Sequence, residues 1–309
     1  MPADSLLEQM RAQVVDRLGA DPSTVRAVVS PYRVCPLGAH VDHQLGQVTG
    51  MAIDQGVLLA FAPPDAPEVR LLSRDFPGEV RFALDTDAPA SKGDWGNYAR
   101  GAVVALRQRH RLGRGIVGVT SGRLAEGGLS SSAAIGVAYL LALEAANGLR
   151  LSDADNIALD QAIENGYLGL RNGILDQATI LLSRQGCLTH IDCRDGRSAL
   201  IEPPAQMPTH RFLIAFSGLR QALVSTDYNR RVEECTAAAA VLLSAAGRDG
   251  VRPVLGNVTR AEYEAHGGIL QGALARRAAH FFTEVERVRR GLDAWRQGRI
   301  EQFGALVSA

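Results

Sequence analysis

Gly127-Gly128-Leu129-Ser130-Ser131-Ser132-Ala133-Ala134 is the stretch on which the reading of this chain turns. Two glycines and three serines run directly into the apolar segment 135–146. Glycine lets backbone N–H groups approach a ligand closely, and serine adds hydroxyl donors. The helix that follows offers first-turn N–H groups with no intrahelical partner and the positive end of its dipole. A phosphate is the natural occupant of such a loop. The same octet also suits a small-residue turn that caps a buried helix, so the rest of the chain has to choose between the two.

Bulk properties narrow the field. The 309 residues hold 33 Lys and Arg against 33 Asp and Glu, a formal net charge of zero that indicates neither a nucleic-acid nor a membrane partner. Basic residues at Arg276-Arg277 and Arg287-Arg289-Arg290 alternate with apolar positions, as on a solvated helix face. Cys35, Cys187, Cys193 and Cys235 are scattered in no zinc-binding pattern, which fits a reduced, intracellular protein. The first twenty residues lack a basic start followed by an apolar core, and the run Ala133 to Ala146 is too short to span a bilayer. The expectation is a cytoplasmic protein; the sequence sets no oligomeric state.

Periodicity predicts a helix over 5–19, then strands at 27–29, 57–61, 69–72 and 80–84, each bounded by Pro, Gly or Asp. A helix over 97–109 and a buried strand over 116–120 lead to the glycine-serine loop and its helix. Ser152 with Asp155 three positions on predicts a capping box for a further helix. A strand at 212–216 follows Pro203-Pro204, and helices over 228–245, 262–280 and 281–294 complete the pattern. Strands mixed with helices, then a helix-rich tail, read as α+β with two lobes. The division is expected as 1–205 and 206–309.

Four segments taken together resemble the GHMP small-molecule kinases, in their galactokinase branch. They are Pro31-Tyr32-Arg33-Val34-Cys35-Pro36-Leu37-Gly38-Ala39-His40-Val41-Asp42-His43, similar to the sugar signature; Asp94-Trp95-Gly96-Asn97-Tyr98-Ala99-Arg100-Gly101; the glycine-serine loop; and Gly173-Ile174-Leu175-Asp176-Gln177. Weaker echoes occur at Tyr228-Asn229-Arg230-Arg231 and Arg276-Arg277-Ala278-Ala279-His280. The resemblance implies a ribosomal S5 domain 2-like N-terminal domain and a ferredoxin-like C-terminal domain, with ATP and Mg²⁺ in use. It assigns the nucleotide to Gly127, Gly128, Leu129, Ser130, Ser131, Ser132 and Ala133, with Trp95 bordering the pocket or filling core. Mg²⁺ falls to Ser131 or Ser132 and to Glu164, oxygen donors suited to a hard cation. His40, Asp42 and Tyr228 are implied as sugar ligands.

Asp176 lies among Ile174, Leu175, Ala178 and Ile180, and a carboxylate in such surroundings needs a partner. The family position makes Arg33 that partner. The pair would keep Asp176 ionised and place positive charge near a transferring phosphoryl group. Asp176 then orients the sugar hydroxyl more than it removes a proton.

The chain departs from the branch in two places. Galactokinases carry Gly-Glu-His where this chain carries Gly38-Ala39-His40. In the family that Glu bonds the C6 hydroxyl of the sugar, so Ala39 removes a negative charge and opens volume there. A C6 carboxylate is then tolerated, and residues 30–40 resemble the galacturonokinase subgroup. The expected reaction is phosphorylation of the anomeric hydroxyl of D-galacturonate, with galactose or a related sugar as the alternative acceptor. The second departure is the family's third glycine-rich motif, which is not found before the sequence stops at Ala309; Gly267-Gly268-Ile269 has the wrong context. A fragment or an incomplete second domain is expected, with unpaired strand edges and reduced stability or activity of the isolated chain. A non-catalytic sugar and ATP sensor, or a truncated inactive paralogue, remains a competing reading. The intact Ser131-Ser132-Ala133-Ala134 run, together with Arg33 and Asp176, favours an enzyme.

Overall fold

A computed structural model describes residues 3–122, 128–215 and 227–309. Two compact units interleave in sequence: 1–32 with 53–169, and 33–52 with 170–309. The chain crosses between them inside two strands, β1 (Arg26–Val34) and β2 (Gln47–Ala62), so these contact-defined units are not divided at residue 205.

In the first unit β3 (Glu68–Ser73) and β4 (Glu79–Ala83) form an antiparallel hairpin. β5 (Val117–Gly122) lies parallel to β3 and antiparallel to the second half of β2, with Val57 opposite Gly122 and Ala62 opposite Val117. Helix α1 (Ala3–Leu18) presents Leu6, Met10, Val14 and Leu18, a stripe at four-residue spacing, to Ala60, Ala62, Val117 and Val119. The alternate strand residues Leu59 and Phe61 are also buried, so both faces of this sheet are covered. Helices α2 (Asn97–Arg107), α3 (Ser131–Asn147) and α4 (Asp153–Gln161) pack together, and α4 runs on into a π-helical turn at Ala162–Tyr167.

The second unit pairs Gln47–Gly50 of β2 with β6 (Leu188–Asp192), which pairs with β7 (Arg197–Ile201). Around these strands lie α5 (Leu175–Leu182), α6 (Tyr228–Ala245), α7 (Arg260–His266), α8 (Gly272–Arg296) and α9 (Ile300–Val307). Its core gathers Leu37, Leu188, Ile201, Val288, Leu292, Trp295 and Phe303. The Trp295 indole donates to the Ile201 carbonyl at 3.0 Å.

The elements depart from expectation in three ways. The run 212–215 forms no strand and Leu213 is 94% exposed, while Phe216 lies outside the described residues. Four apolar residues read alike as strand or as loop when no partner strand is specified. The helices expected over 262–280 and 281–294 are divided at Gly267–Ile269 instead, and α8 passes unbroken through His280-Phe281. Strands β6 and β7 were not expected, because polar His190, Asp192, Arg197 and Ser198 mask their alternation. The capping box is present as read: Ser152 Oγ accepts from the Asp155 N–H at 3.1 Å and Asp155 Oδ2 accepts from the Ser152 N–H at 3.3 Å.

Candidate active site

The second unit assembles the residues expected on the acceptor side. Arg33, near the end of β1, meets Asp176 in the first turn of α5; Nε donates to Oδ1 at 2.7 Å and Nη2 lies 2.6 Å from the same oxygen. Both side chains are mostly buried, at 15% and 16% exposed. Burial alone would lower the Arg33 pKa, but Asp176, through its charge and its hydrogen bond, together with Cys35 and Asp42 raises the guanidinium above its usual value. The partner that Asp176 needs is therefore in place, and Arg33 is held as a fixed positive charge.

Asp42 sits beside them. Its Oδ2 accepts from the Leu175 N–H at 3.4 Å, and its Oδ1 lies 3.8 Å from His43 Nδ1. Burial would raise this carboxyl, but His43, the Leu175 N–H and His40 together hold it below the ordinary carboxylate range. Gly173 explains the close fit: a Cβ there would stand 2.6 Å from Asp42 Cγ and Oδ2. The Tyr228 hydroxyl is 3.4 Å from His43 Nδ1, and its ring lies edge-on to His40 at 6.3 Å. His40 has φ +61°, left-handed for a non-glycine residue. Ala39 lies between it and Gly38, and its carbonyl is met by His280 Nε2 at 2.9 Å. The structure thus brings Arg33, Ala39, His40, Asp42, Asp176 and Tyr228 into one unit. It adds His43, Gly173 and His280, to which the sequence assigned no role of their own.

The first unit carries the loop. Gly127 lies outside the described residues; Gly128 is exposed, and Leu129 and Ser130 are buried. Ser130 stands at φ 58°, ψ 47°, and makes no side-chain hydrogen bond into α3. Ser131 and Ser132 are half-buried and Ala133 is fully buried.

Glu164 is completely buried in the π-helical turn, a distortion frequent at functional positions. Burial and then the Glu164 charge push the Tyr98 phenol up. Asp160, one turn before Glu164, is buried too, and a Cβ on Gly136 of α3 would stand 2.1 Å from its Oδ1. Ser131, Ser132 and Glu164 are hard oxygen donors, and Mg²⁺ takes one or two carboxylates while keeping water and substrate phosphate as its other ligands. Among the described residues no group of three or more His, Cys, Asp and Glu is placed to hold a metal. Trp95 is half-buried, its indole donating to the Pro77 carbonyl at 3.2 Å, and Asn97 pins the preceding loop through both Ser91 backbone groups at 3.0 and 2.6 Å.

Comparison with known proteins gives the family of the chain. A family model for the GHMP kinases N terminal domain matches residues 97–184, which include the loop and Asp176. The galacturonokinase of Arabidopsis thaliana is 50% identical over 328 aligned positions, covering 100% of this chain and 77% of that protein. The crystal structure of Lactococcus lactis galactokinase complexed with galactose matches at a TM-score of 0.86 and 25% identity, over 97% of this chain and 77% of that one. Methanococcus jannaschii mevalonate kinase, at 15% identity and a TM-score of 0.52 over 86% of this chain and 83% of its own, shares the fold alone. Among the described residues no helix is long and apolar enough to cross a membrane.

Proposed function

The chain belongs to the GHMP kinases, in their galactokinase branch, and from that premise we propose that it is an ATP-dependent sugar-1-kinase acting on D-galacturonate in the cytoplasm. As family domains we keep 1–205 for sugar and nucleotide and 206–309 for the C-terminal part. In this reading the anomeric oxygen forms a bond to the γ-phosphorus as the bond from that phosphorus to the β,γ-bridging oxygen breaks, giving galacturonate 1-phosphate and ADP.

The observation that carries the reading is the Arg33–Asp176 pair, a guanidinium and a carboxylate held at 2.6 Å in largely buried surroundings. Asp176 accepts a hydrogen bond from the C1 hydroxyl and orients it, and it takes the proton as the new bond forms. Arg33 stabilises charge on the transferring group, the contribution that a positioned cation makes to phosphoryl transfer. Asp42 and His40 accept and donate to the ring hydroxyls, with Asp42 kept ionised and therefore acceptor-only. Tyr228 closes against the same histidines. On the donor side Ser130, Ser131, Ser132 and the backbone of Gly127, Gly128, Leu129 and Ala133 hold the triphosphate, and Trp95 borders the nucleotide. Ser131, Ser132 and Glu164 would hold Mg²⁺, which supplies neutralisation of phosphate charge when bound.

Ala39 is the residue that favours a uronic acid. A glutamate in its place would oppose a C6 carboxylate by a like-charge contact, whereas the alanine methyl leaves that end of the sugar uncharged and roomy. The relative named a galacturonokinase supports the same acceptor. The test is coupled ADP release from Mg-ATP with D-galacturonate, D-galactose, D-glucuronate and L-arabinose, run beside Asp176→Ala. Turnover on galacturonate well above galactose, lost in the variant, is the expected result. Equal turnover on the two sugars would remove the role given to Ala39.

A further inference from the structure

The segment that presents His40 and Asp42 is fastened at three successive residues. The Leu37 N–H donates to Thr49 Oγ1 at 3.0 Å, and that hydroxyl donates back to the Leu37 carbonyl at 2.9 Å. The Gly38 N–H donates to Glu284 Oε2 at 2.9 Å. The Ala39 carbonyl is held by His280 Nε2 at 2.9 Å; a carbonyl oxygen only accepts, so Nε2 carries the proton. His280 and Glu284 are four residues apart on α8, hence neighbours on one helix face. Glu284 is 5% exposed and paired with Arg287. Gly38, at φ +88°, has no room to move toward β2, since even a Cβ would stand 2.7 Å from the Gln47 carbonyl oxygen and Val48 Cα. One helix therefore grips the donor of the Leu37–Gly38 peptide and the acceptor of the Ala39–His40 peptide.

The residue after this grip is His40, at φ +61°. A non-glycine residue keeps a left-handed conformation only where its surroundings over-determine it. The rotation of the peptide between Ala39 and His40 is what His280 fixes. Release of that carbonyl lets the peptide turn and His40 return to an ordinary conformation, which moves the imidazole and everything after it as far as Asp42. We propose that His280, with Glu284 beside it on α8, is a positioning residue for the acceptor sugar, acting through the backbone of residues 38–40 rather than by touching substrate. This rests on the reading that His40 and Asp42 bind the sugar.

The experiment compares His280→Ala and His280→Gln with the unaltered 309-residue chain. His280 is exposed, so both variants are expected to fold. Backbone amide exchange, followed by mass spectrometry, is expected to speed up in His280→Ala within the peptides covering 37–43 and nowhere else. The sugar KM is expected to rise about tenfold, with kcat and the ATP KM within about twofold of the parent, as for lost positioning of one substrate. Glutamine places an amide N–H where Nε2–H was, and is expected to restore both exchange and KM. Unchanged exchange at 37–43 in His280→Ala would overturn the proposal. So would a joint loss of kcat, sugar KM, ATP KM and melting temperature that glutamine fails to rescue. If the parent turns over no sugar while the loop still loosens in His280→Ala and tightens in His280→Gln, the clamp stands and the acceptor reading falls.

Discussion

The two glycine-bearing loops of this protein are built on opposite principles. Residues 37–42 are fixed from elsewhere in the chain, by the side chains of Thr49 on Leu37, Glu284 on Gly38 and His280 on Ala39, and by the backbone N–H of Leu175 on Asp42. In the other loop the N-cap residue of α3, Ser130, stands in left-handed backbone and makes no side-chain cap on the first turn. The contrast sharpens beside α4 and α7, whose first turns are closed by Ser152 with Asp155 and Thr259 with Glu262. A loop that must recognise one arrangement of hydroxyls needs fixed side chains, since a small displacement alters every hydrogen bond. A loop that cradles phosphate needs N–H groups and dipole, which a self-made cap would consume.

The largest effect is expected where the acceptor side holds its charge. Arg33→Ala removes the cation beside Asp176 and is expected to lower kcat by about 10²–10³-fold, the usual scale for losing one electrostatic contact to the transition state. ADP release under saturating ATP and sugar measures it. A loss confined to KM would instead make Arg33 a ground-state binder. Next is Ala39→Glu, which returns the family's carboxylate to the loop. The ratio of kcat/KM for galacturonate over galactose is expected to fall by about 10–100-fold, about 1.4–2.8 kcal/mol. An unchanged ratio would separate Ala39 from substrate choice.

Gly173→Ala tests the close approach to Asp42 without touching any charge. The added methyl must displace a buried carboxylate whose Cγ and Oδ2 lie 2.6 Å away, so the sugar KM is expected to rise about tenfold with the ATP KM unmoved. Gly136→Ala is its counterpart in the other unit, where the methyl meets Asp160 Oδ1 at 2.1 Å. The expected cost is about 1–3 kcal/mol of stability, as for overpacking a buried contact, read as a lower denaturation midpoint with the sugar KM unchanged. Together the two glycines ask whether each loop is supported from within its own unit. A Gly136→Ala variant that raised the sugar KM would break that separation.

The motifs were legible because their chemistry constrains residue type. A buried carboxylate such as Asp176 needs a cation, so the Arg33–Asp176 pair was readable from sequence and family resemblance, as was the helix that follows the serines. The capping box at Ser152 was legible for the same reason. What stayed hidden depends on distant partners. Nothing local marks Gly173 as the seat of Asp42, or His280 and Glu284 as holders of residues 38 and 39, more than 240 positions away in sequence. Asp160 was given no role, and Glu164 was singled out only through the family resemblance, although each is fully buried. The π-helical turn has no composition signal of its own; burial of Leu159, Asp160, Ile163 and Glu164 along one face was the only clue, and the polar half of it looked like surface. Strands β6 and β7 were missed because their polar residues resemble a loop until a partner strand is supplied.

The smallest effect expected belongs to the capped helix, and it calibrates the comparison. Glu262 is held down to about 2 by the Thr259 N–H, then by the Arg248 guanidinium. A carboxyl whose folded pKa lies below its unfolded value contributes stability that is complete above the unfolded value, here near 4.5, and disappears as pH falls toward the folded one. Acidification from about pH 4.5 to about pH 2 is therefore expected to loosen α7 in the parent protein. Glu262→Gln retains an oxygen to accept from Thr259 but cannot titrate, so its melting temperature should lie slightly below the parent at neutral pH and the two curves should converge as pH falls. Kinase activity at neutral pH should be unaltered, since α7 contributes no residue to either loop. Curves that stay parallel across this range would mean that the cap acts through hydrogen bonding alone. The charge would then add nothing at α7, and only the backbone part of the contrast with the uncapped entrance of α3 would survive.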